Sequence, residues 1–273
     1  MKNTAGLKEL AHRIRENVLE MTYASGVNGG HLGGAFSSAE ILAVLYGKIL
    51  NWNVNNMTDP GRDRFILSKG HIAIGHYAVL AEVGIISKEE MMSFEKDTSF
   101  YQTHEKEDIS RGIEFSGGSL GYGASFGVGT ALMARKRNMS YKTYVLTGEG
   151  ECNEGIVWEA MMSAVQYGLD NITFIIDVNK QQLDGMTVDI MPIRDIETVC
   201  KGFGCEVISI DGNDVDEVYN ALRMEVFEKP KVIIANTIKA KGISSAEGKT
   251  GTHHIRLTAE VYNQYKNELE LCK

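Results

Sequence analysis

The chain is poor in cysteine, in proline and in positive charge, and each shortage excludes something. The four cysteines, Cys152, Cys200, Cys205 and Cys272, are too few and too scattered for a disulfide framework or a zinc site; only Cys200 and Cys205 are close, in CKGFGC. Three prolines in 273 residues, with no repeat and no linker, make residues 1–273 read as a single domain. Lys and Arg number 28 against 36 Asp and Glu, a net charge of −8, so no basic groove for nucleic acid is expected. No apolar run approaches the roughly 18 residues of a membrane span. The amphipathic start, MKNTAGLKELAHRIRENVLEM, lacks a signal-peptide apolar core, and the cytoplasm is the expected compartment. What remains, 43% hydrophobic and 23% charged, is an ordinary soluble globular composition with enough apolar residues for a large core.

Periodicity gives the organisation. Leu7, Leu10, Ile14, Val18, Leu19 and Met21 follow helical spacing over about 7–23. A glycine-rich loop, SGVNGGHLGGAFS, follows, and Ser37 with Glu40 predicts a capping box opening a second helix to Ile49. RFILS (64–68) reads as a buried strand leading into KGH and a helix to Leu80; Ser87 with Glu90 marks a short helix. Residues 97–120 are polar and irregular, a length of loop that is usually functional or disordered. GYGASFGVGTALMARKR reads as a helix, followed by strand 142–147, helix 153–167, strand 171–178, a loop through Pro192, a helix near 194–202 and strand 205–210. A helix capped by Asp214 and Glu217, the strand KVIIANT, and a tail of loop and short helix complete the chain. Alternating strands and helices predict the α/β class, a doubly wound parallel sheet with helices on both faces.

The segment Val145–Gly185 carries the most information. An apolar strand runs into Gly148-Glu149-Gly150, a helix follows, and a second apolar strand ends at Asn179, 30 residues after Glu149. One strand–helix–strand unit would bring both residues to the carboxyl edge of neighbouring parallel strands, where open α/β sheets bind ligands. The turn offers backbone N–H groups to a phosphate. A carboxylate and an amide oxygen beside it suit Mg²⁺, a hard ion that takes oxygen ligands. Four histidines, His31, His71, His104 and His253, lie in loops, three of them beside glycines or at element ends. Glycine permits close backbone approach to a ligand, and neutral imidazole can donate a hydrogen bond or shuttle a proton.

The Gly-acid-Gly turn, the thirty-residue gap and the Asn resemble the diphosphate- and metal-binding motif of thiamine-diphosphate enzymes. WEAMMSA and NKQQLDG are similar to the transketolase branch. In order, GHLGGAFS, FILSKGH, the loop histidine, GGSLGYGAS, the acidic turn, DVNKQQLDG, TIKAKG and TH resemble the N-terminal half of transketolase over about residues 7–270. The resemblance implies thiamine diphosphate with Mg²⁺ (or Ca²⁺ or Mn²⁺). It puts Glu149, Asn179 and the Gln181 carbonyl on the metal, His71 and the Gly150 N–H on the diphosphate, and Gly118 and Leu120 at the aminopyrimidine. His104 would meet a ketose near its C1 hydroxyl; His31 and His253 would handle hydroxyl protons and diphosphate oxygens. Glu154 and Glu159 match acidic residues that link two cofactor sites across a subunit interface.

Some positions depart from the family. Its metal-binding Asp is Glu149, its Gln after GSLG is Tyr122, its Thr before GSLG is Gly117, and its Trp and Gly around the last histidine are Thr252 and His254, so either His253 or His254 could face the site. The loop before His31 is about two residues longer than the family's. The family's glutamate on the aminopyrimidine and most of its sugar-phosphate arginines belong to the next domain. The resemblance therefore implies the N-terminal subunit of a split transketolase, completed by a C-terminal chain, as an α2β2 assembly acting on sugar phosphates of pentose-phosphate type. The alternatives are the α-subunit of a thiamine-diphosphate enzyme that acts on 2-oxo acids and a non-catalytic cofactor-binding homologue.

Overall fold

RFIL, YVL, ITFII and KVIIA are near-continuous apolar runs, the pattern of strands buried on both faces. In the computed structural model, which describes residues 4–193 and 195–272, they form β1 (Arg64–Leu67), β2 (Thr143–Gly148), β3 (Ile172–Val178) and β5 (Lys231–Asn236), with β4 (Glu206–Asp211) at one edge. The order is β1-β2-β3-β5-β4 and every pairing is parallel.

Alternate residues of each strand enter opposite cores, as the pleat requires. Phe65, Leu67, Leu146, Ile175 and Ile233 pack with α1 (Ala5–Ala24), α2 (Leu32–Ser37), α3 (Ala39–Val44), α4 (Ala73–Glu82) and α10 (Val215–Arg223). Ile66, Val145, Phe174, Ile176 and Val232 pack with α6 (Tyr122–Lys136), α7 (Gly155–Gln166) and α9 (Ile196–Phe203). The doubly wound sheet expected from the sequence is the one observed. Arg194, where the sequence starts the helix now seen as α9, lies outside the described residues. Two short helices, α5 (Lys88–Met91) and α8 (Thr187–Ile190), and a longer terminal α11 (Ala259–Leu271) complete the fold. No helix among the described residues is long and apolar enough to cross a membrane.

The caps divide. Ser87 and Glu90 form both halves of their capping box. Asp214 caps α10 by accepting from the N–H groups of Asp216 and Glu217, but the Glu217 carboxylate turns instead to the Asp211 N–H, 2.8 Å away. The Ser37–Glu40 box does not form. Helix α2 arises inside the glycine-rich loop, and the Ser37 hydroxyl donates to buried Asp177 at 2.7 Å while Glu40 pairs with Arg15 at 2.6 Å. A cap contributes about 1 kcal/mol. A hydrogen bond to a buried charge is stronger, and leaving that charge short of donors costs more still.

Candidate active site

The β2–β3 register sets Gly148 beside Asp177, so Glu149 and Asn179 leave the sheet as neighbours. The Lys180 N–H donates to Glu149 Oε2 at 2.9 Å, and Asn179 Oδ1 accepts from the Gln181 N–H at 3.2 Å. Gln181 is pinned by a bridge to Met186 and by its own Nε2 on the Gly248 carbonyl at 2.7 Å. Its Oε1 is buried with no hydrogen-bond partner among the described residues. A cavity of about 470 Å³ opens over this edge. Its wall includes Glu149, Gly150, Glu154, Asn179, Gln181, His71, His104, Gly118, Leu120 and His253. Of the histidines read from the sequence as site residues, His31 alone is off the wall. Its ring stands just behind, 5.2 Å from His253, 5.4 Å from His71 and 6.4 Å from His104. Glu159 is exposed on α7 and does not line the cavity.

The irregular segment 97–120 is an ordered loop with one short turn, Ile109–Arg111, and it delivers His104 and Gly118 to the cavity. Gly118 has φ +131°, and a Cβ there would sit 3.7 Å from the His104 ring. Gly34 leaves a similar gap, where a Cβ would lie 3.2 Å from Lys69 Nζ and 3.5 Å from His71 Nε2. Of the two adjacent tail histidines, half-buried His253 lines the cavity, 4.8 Å from the His71 ring, while His254 is exposed.

Burial, followed by the neighbouring imidazoles, lowers His31 to about 3, and burial with Lys239 and Lys69 nearby lowers His253 to about 4. Burial and Lys69 likewise push His71 well below its ordinary value. These three rings are neutral at neutral pH, each able to donate at one nitrogen and accept at the other. Lys239 is brought down to about 8, first by burial and then by Lys69. Among the described residues its Nζ reaches only the Gln182 carbonyl at 3.2 Å and His253 Nδ1 at 3.4 Å. Two lysines and a ring of neutral imidazoles around open space make a seat for an anion. Among the described residues no group of three or more His, Cys, Asp and Glu could hold a metal by itself. The oxygens at the strand edge are of mixed type, a carboxylate, an amide and a backbone carbonyl, a set that fits a hard divalent ion.

The family profile described as "Transketolase, thiamine diphosphate binding domain" matches residues 8–271. The chain belongs to the transketolase family. It is 40% identical over 249 residues to one chain of the apulose-4-phosphate transketolase of Actinobacillus succinogenes, covering 91% of this chain and 90% of that one. It is 38% identical to a 6-deoxy-6-sulfo-D-fructose transketolase subunit of a Clostridium species, covering 97% and 96%. The crystal structure of transketolase from Campylobacter jejuni superposes with a TM-score of 0.90 at 31% identity, covering 98% of this chain and 43% of that one. The chain thus spans less than half the length of the solved transketolase, but nearly the whole length of the subunits.

This transketolase-family domain also carries site residues that reasoning from the sequence passed over. Asp177, fully buried, is met by Lys69 Nζ, Thr237 Oγ1, Ser37 Oγ at 2.7 Å, Ser38 Oγ at 3.1 Å and Asn179 Nδ2 at 3.3 Å. Burial alone would raise its carboxyl, but the Lys69 ammonium and these donors hold it below the ordinary value. Asp177 thereby orients Asn179 and anchors Lys69 under the cavity. Glu151, also buried, accepts from the N–H groups of Gly148 (2.9 Å) and Gly121 (2.7 Å) and from Ser68 Oγ (2.5 Å), tying the acidic turn to the start of α6. A charge closing an apolar run was the available signal: Asp177 ends ITFIID, and Lys69 follows RFILS. Charged residues are almost never fully buried without partners.

Proposed function

We propose that this chain is the cofactor-binding subunit of a two-chain transketolase that moves a two-carbon ketol unit from a ketose phosphate to an aldose phosphate. The observation that supports it most is the convergence of Glu149, Asn179 and Gln181 with Lys69, Lys239 and three neutral histidines around one cavity at the carboxyl edge of the sheet. The near-complete overlap with subunits of other transketolases supports a separate partner chain. We take the assembly to be α2β2, residues 1–273 to act as one domain, and the compartment to be the cytoplasm, in keeping with four free cysteines, three of them buried.

Thiamine diphosphate, when bound, supplies the carbanion-stabilising chemistry that the protein lacks. In our reading Glu149, the Asn179 amide oxygen and the Gln181 carbonyl hold Mg²⁺, or Ca²⁺ or Mn²⁺ in its place. Lys239, His71 and the Gly150 N–H take the diphosphate oxygens, and Gly118 and Leu120 leave room for the aminopyrimidine. His104, exposed on the wall, meets the sugar hydroxyls, and His31 and His253, neutral at working pH, accept and return hydroxyl protons. Glu154 reaches toward a neighbouring subunit.

The test is a coupled ketol-transfer assay with thiamine diphosphate and Mg²⁺, using xylulose 5-phosphate as donor and ribose 5-phosphate as acceptor. The chain would be assayed alone and mixed with the product of the neighbouring reading frame. Turnover only in the mixture is expected. Full turnover by the lone chain would end the two-chain reading. Silence in both, with the cofactor bound by the complex, would favour a different sugar or a non-catalytic role.

A further inference from the structure

Directly behind the cavity wall lies a polar chain that the proposed chemistry does not use. Tyr46, His76 and Glu105 are all more than nine-tenths buried. The Tyr46 hydroxyl meets His76 Nε2 at 2.5 Å, and His76 Nδ1 meets Glu105 Oε1. Phe65 packs its ring against His76 with centroids 5.0 Å apart. An ionised carboxylate only accepts. Nδ1 then carries the imidazole proton and Nε2 accepts from the Tyr46 hydroxyl. Apolar side chains of similar volume would fill this space at no loss of stability, and often with a gain. What the polar chain supplies is direction, since each bond fixes one atom relative to the next.

The group so fixed is the neighbour of Glu105, His104. The His104 ring has no hydrogen-bond partner of its own among the described residues, so its position is inherited from the backbone on either side. On one side the Thr103 N–H and hydroxyl both donate to Glu95 Oε1, at 2.5 and 2.7 Å. On the other, the Glu105 side chain is held by His76, and its carbonyl accepts the Gly117 N–H at 3.0 Å. That second bond places Gly118 against the imidazole. We propose that His76 and Glu105, backed by Tyr46, are positioning residues that set the His104 ring over the cavity. The role of His104 toward substrate rests on the function proposed above; the bracing of its ring does not.

The experiment pairs His76→Leu/Glu105→Leu with Glu105→Gln. In the full chain, the His104 imidazole resonances are followed by NMR after assignment through His104→Gln. In the complex with the partner chain, kcat and KM are measured, and Tm is recorded for both variants. We expect the double variant to lower Tm modestly, because the buried Tyr46 hydroxyl loses its partner, to shift the His104 resonances, and to lose roughly 10- to 100-fold in kcat/KM, the scale on which misplacing a catalytic group by about 1 Å is felt. Glu105→Gln, which keeps the shape and one acceptor, should recover part of that loss. Unmoved His104 resonances in the double variant would overturn the proposal; shifted resonances with wild-type kcat/KM would support the brace and count against a substrate role for His104. If the wild-type complex itself is inactive, the function fails while the NMR arm still decides the brace.

Discussion

Two buried lysines at opposite ends of the same sheet are lowered in basicity alike and have different surroundings. Burial lowers both Lys231, at the start of β5, and Lys239, just beyond its end, to about 8. Lys231 Nζ donates to the carbonyls of Ala221, Leu222 and Met224 at 2.8–2.9 Å, closing the C-terminus of α10. Every donor of that ammonium is in use, and the carbonyls it meets are those a helix end leaves without a partner. Lys239 has one carbonyl at 3.2 Å and one imidazole at 3.4 Å, faces a cavity, and has the Lys69 ammonium close enough to lower its pKa. A displaced pKa therefore does not separate a structural lysine from a ligand-binding one; the number of donors left over does.

Removing Lys69 should have the largest effect, because it strands fully buried Asp177. Lys69→Met is expected to cost about 3–5 kcal/mol in urea unfolding, the range for breaking a buried ion pair from one side. Lys231→Met should cost less, about 1–3 kcal/mol, because it strands only neutral carbonyls at a helix end. It should leave the affinity for inorganic diphosphate unchanged. If Lys231→Met proved as damaging as Lys69→Met, or weakened diphosphate binding, the division of the sheet into a structural and a functional end would not stand.

Lys239→Met should do the reverse. Stability at pH 7 should stay level or rise, since a poorly partnered buried charge is removed. The affinity of the chain for inorganic diphosphate, read by calorimetry without cofactor or partner, should fall about 10-fold, or about 1.4 kcal/mol. Unchanged affinity would take Lys239 out of the anion seat.

The fold was legible because its strands are apolar runs and its helices amphipathic, signals that depend on burial alone. Glu149 and Asn179 could be paired because one crossover unit fixes which residues end adjacent strands. What stayed hidden was long-range pairing between polar residues. Ser37 and Glu40 had the spacing of a cap, and nothing local shows that Asp177, 140 residues from Ser37, or Arg15, 25 residues from Glu40, would claim them. Lys69 with Asp177, and His76 with Glu105, are likewise contacts between distant segments. The histidines were found one by one in their loops, but only the packing shows that His31 stands behind the other three.

The smallest expected effect sharpens the comparison of the lysines most. Each is less protonated in the folded chain than in the unfolded one between about pH 8 and 10.5. The unfolded state binds the extra proton there, so stability rises with pH across that window; below it both states are protonated and the dependence disappears. Between pH 8 and 9 each lysine should add about 1 kcal/mol to the rise. Buried thiols raised to about 12 at Cys200 and about 11 at Cys205 pull the other way from about pH 8 upward, a background common to every variant, so each lysine's share is read as a difference between variants. Saturating inorganic diphosphate should keep Lys239 charged through this interval and remove its share of the slope, leaving the share of Lys231. In urea titrations at pH 8.0, 8.5 and 9.0, diphosphate should therefore halve the lysine-dependent rise in the native chain. It should abolish that rise in Lys231→Met and leave it untouched in Lys239→Met. A slope in Lys239→Met that still responds to diphosphate would mean that another group takes up the proton, with the His71–His253 pair, 4.8 Å between ring centroids, next in line.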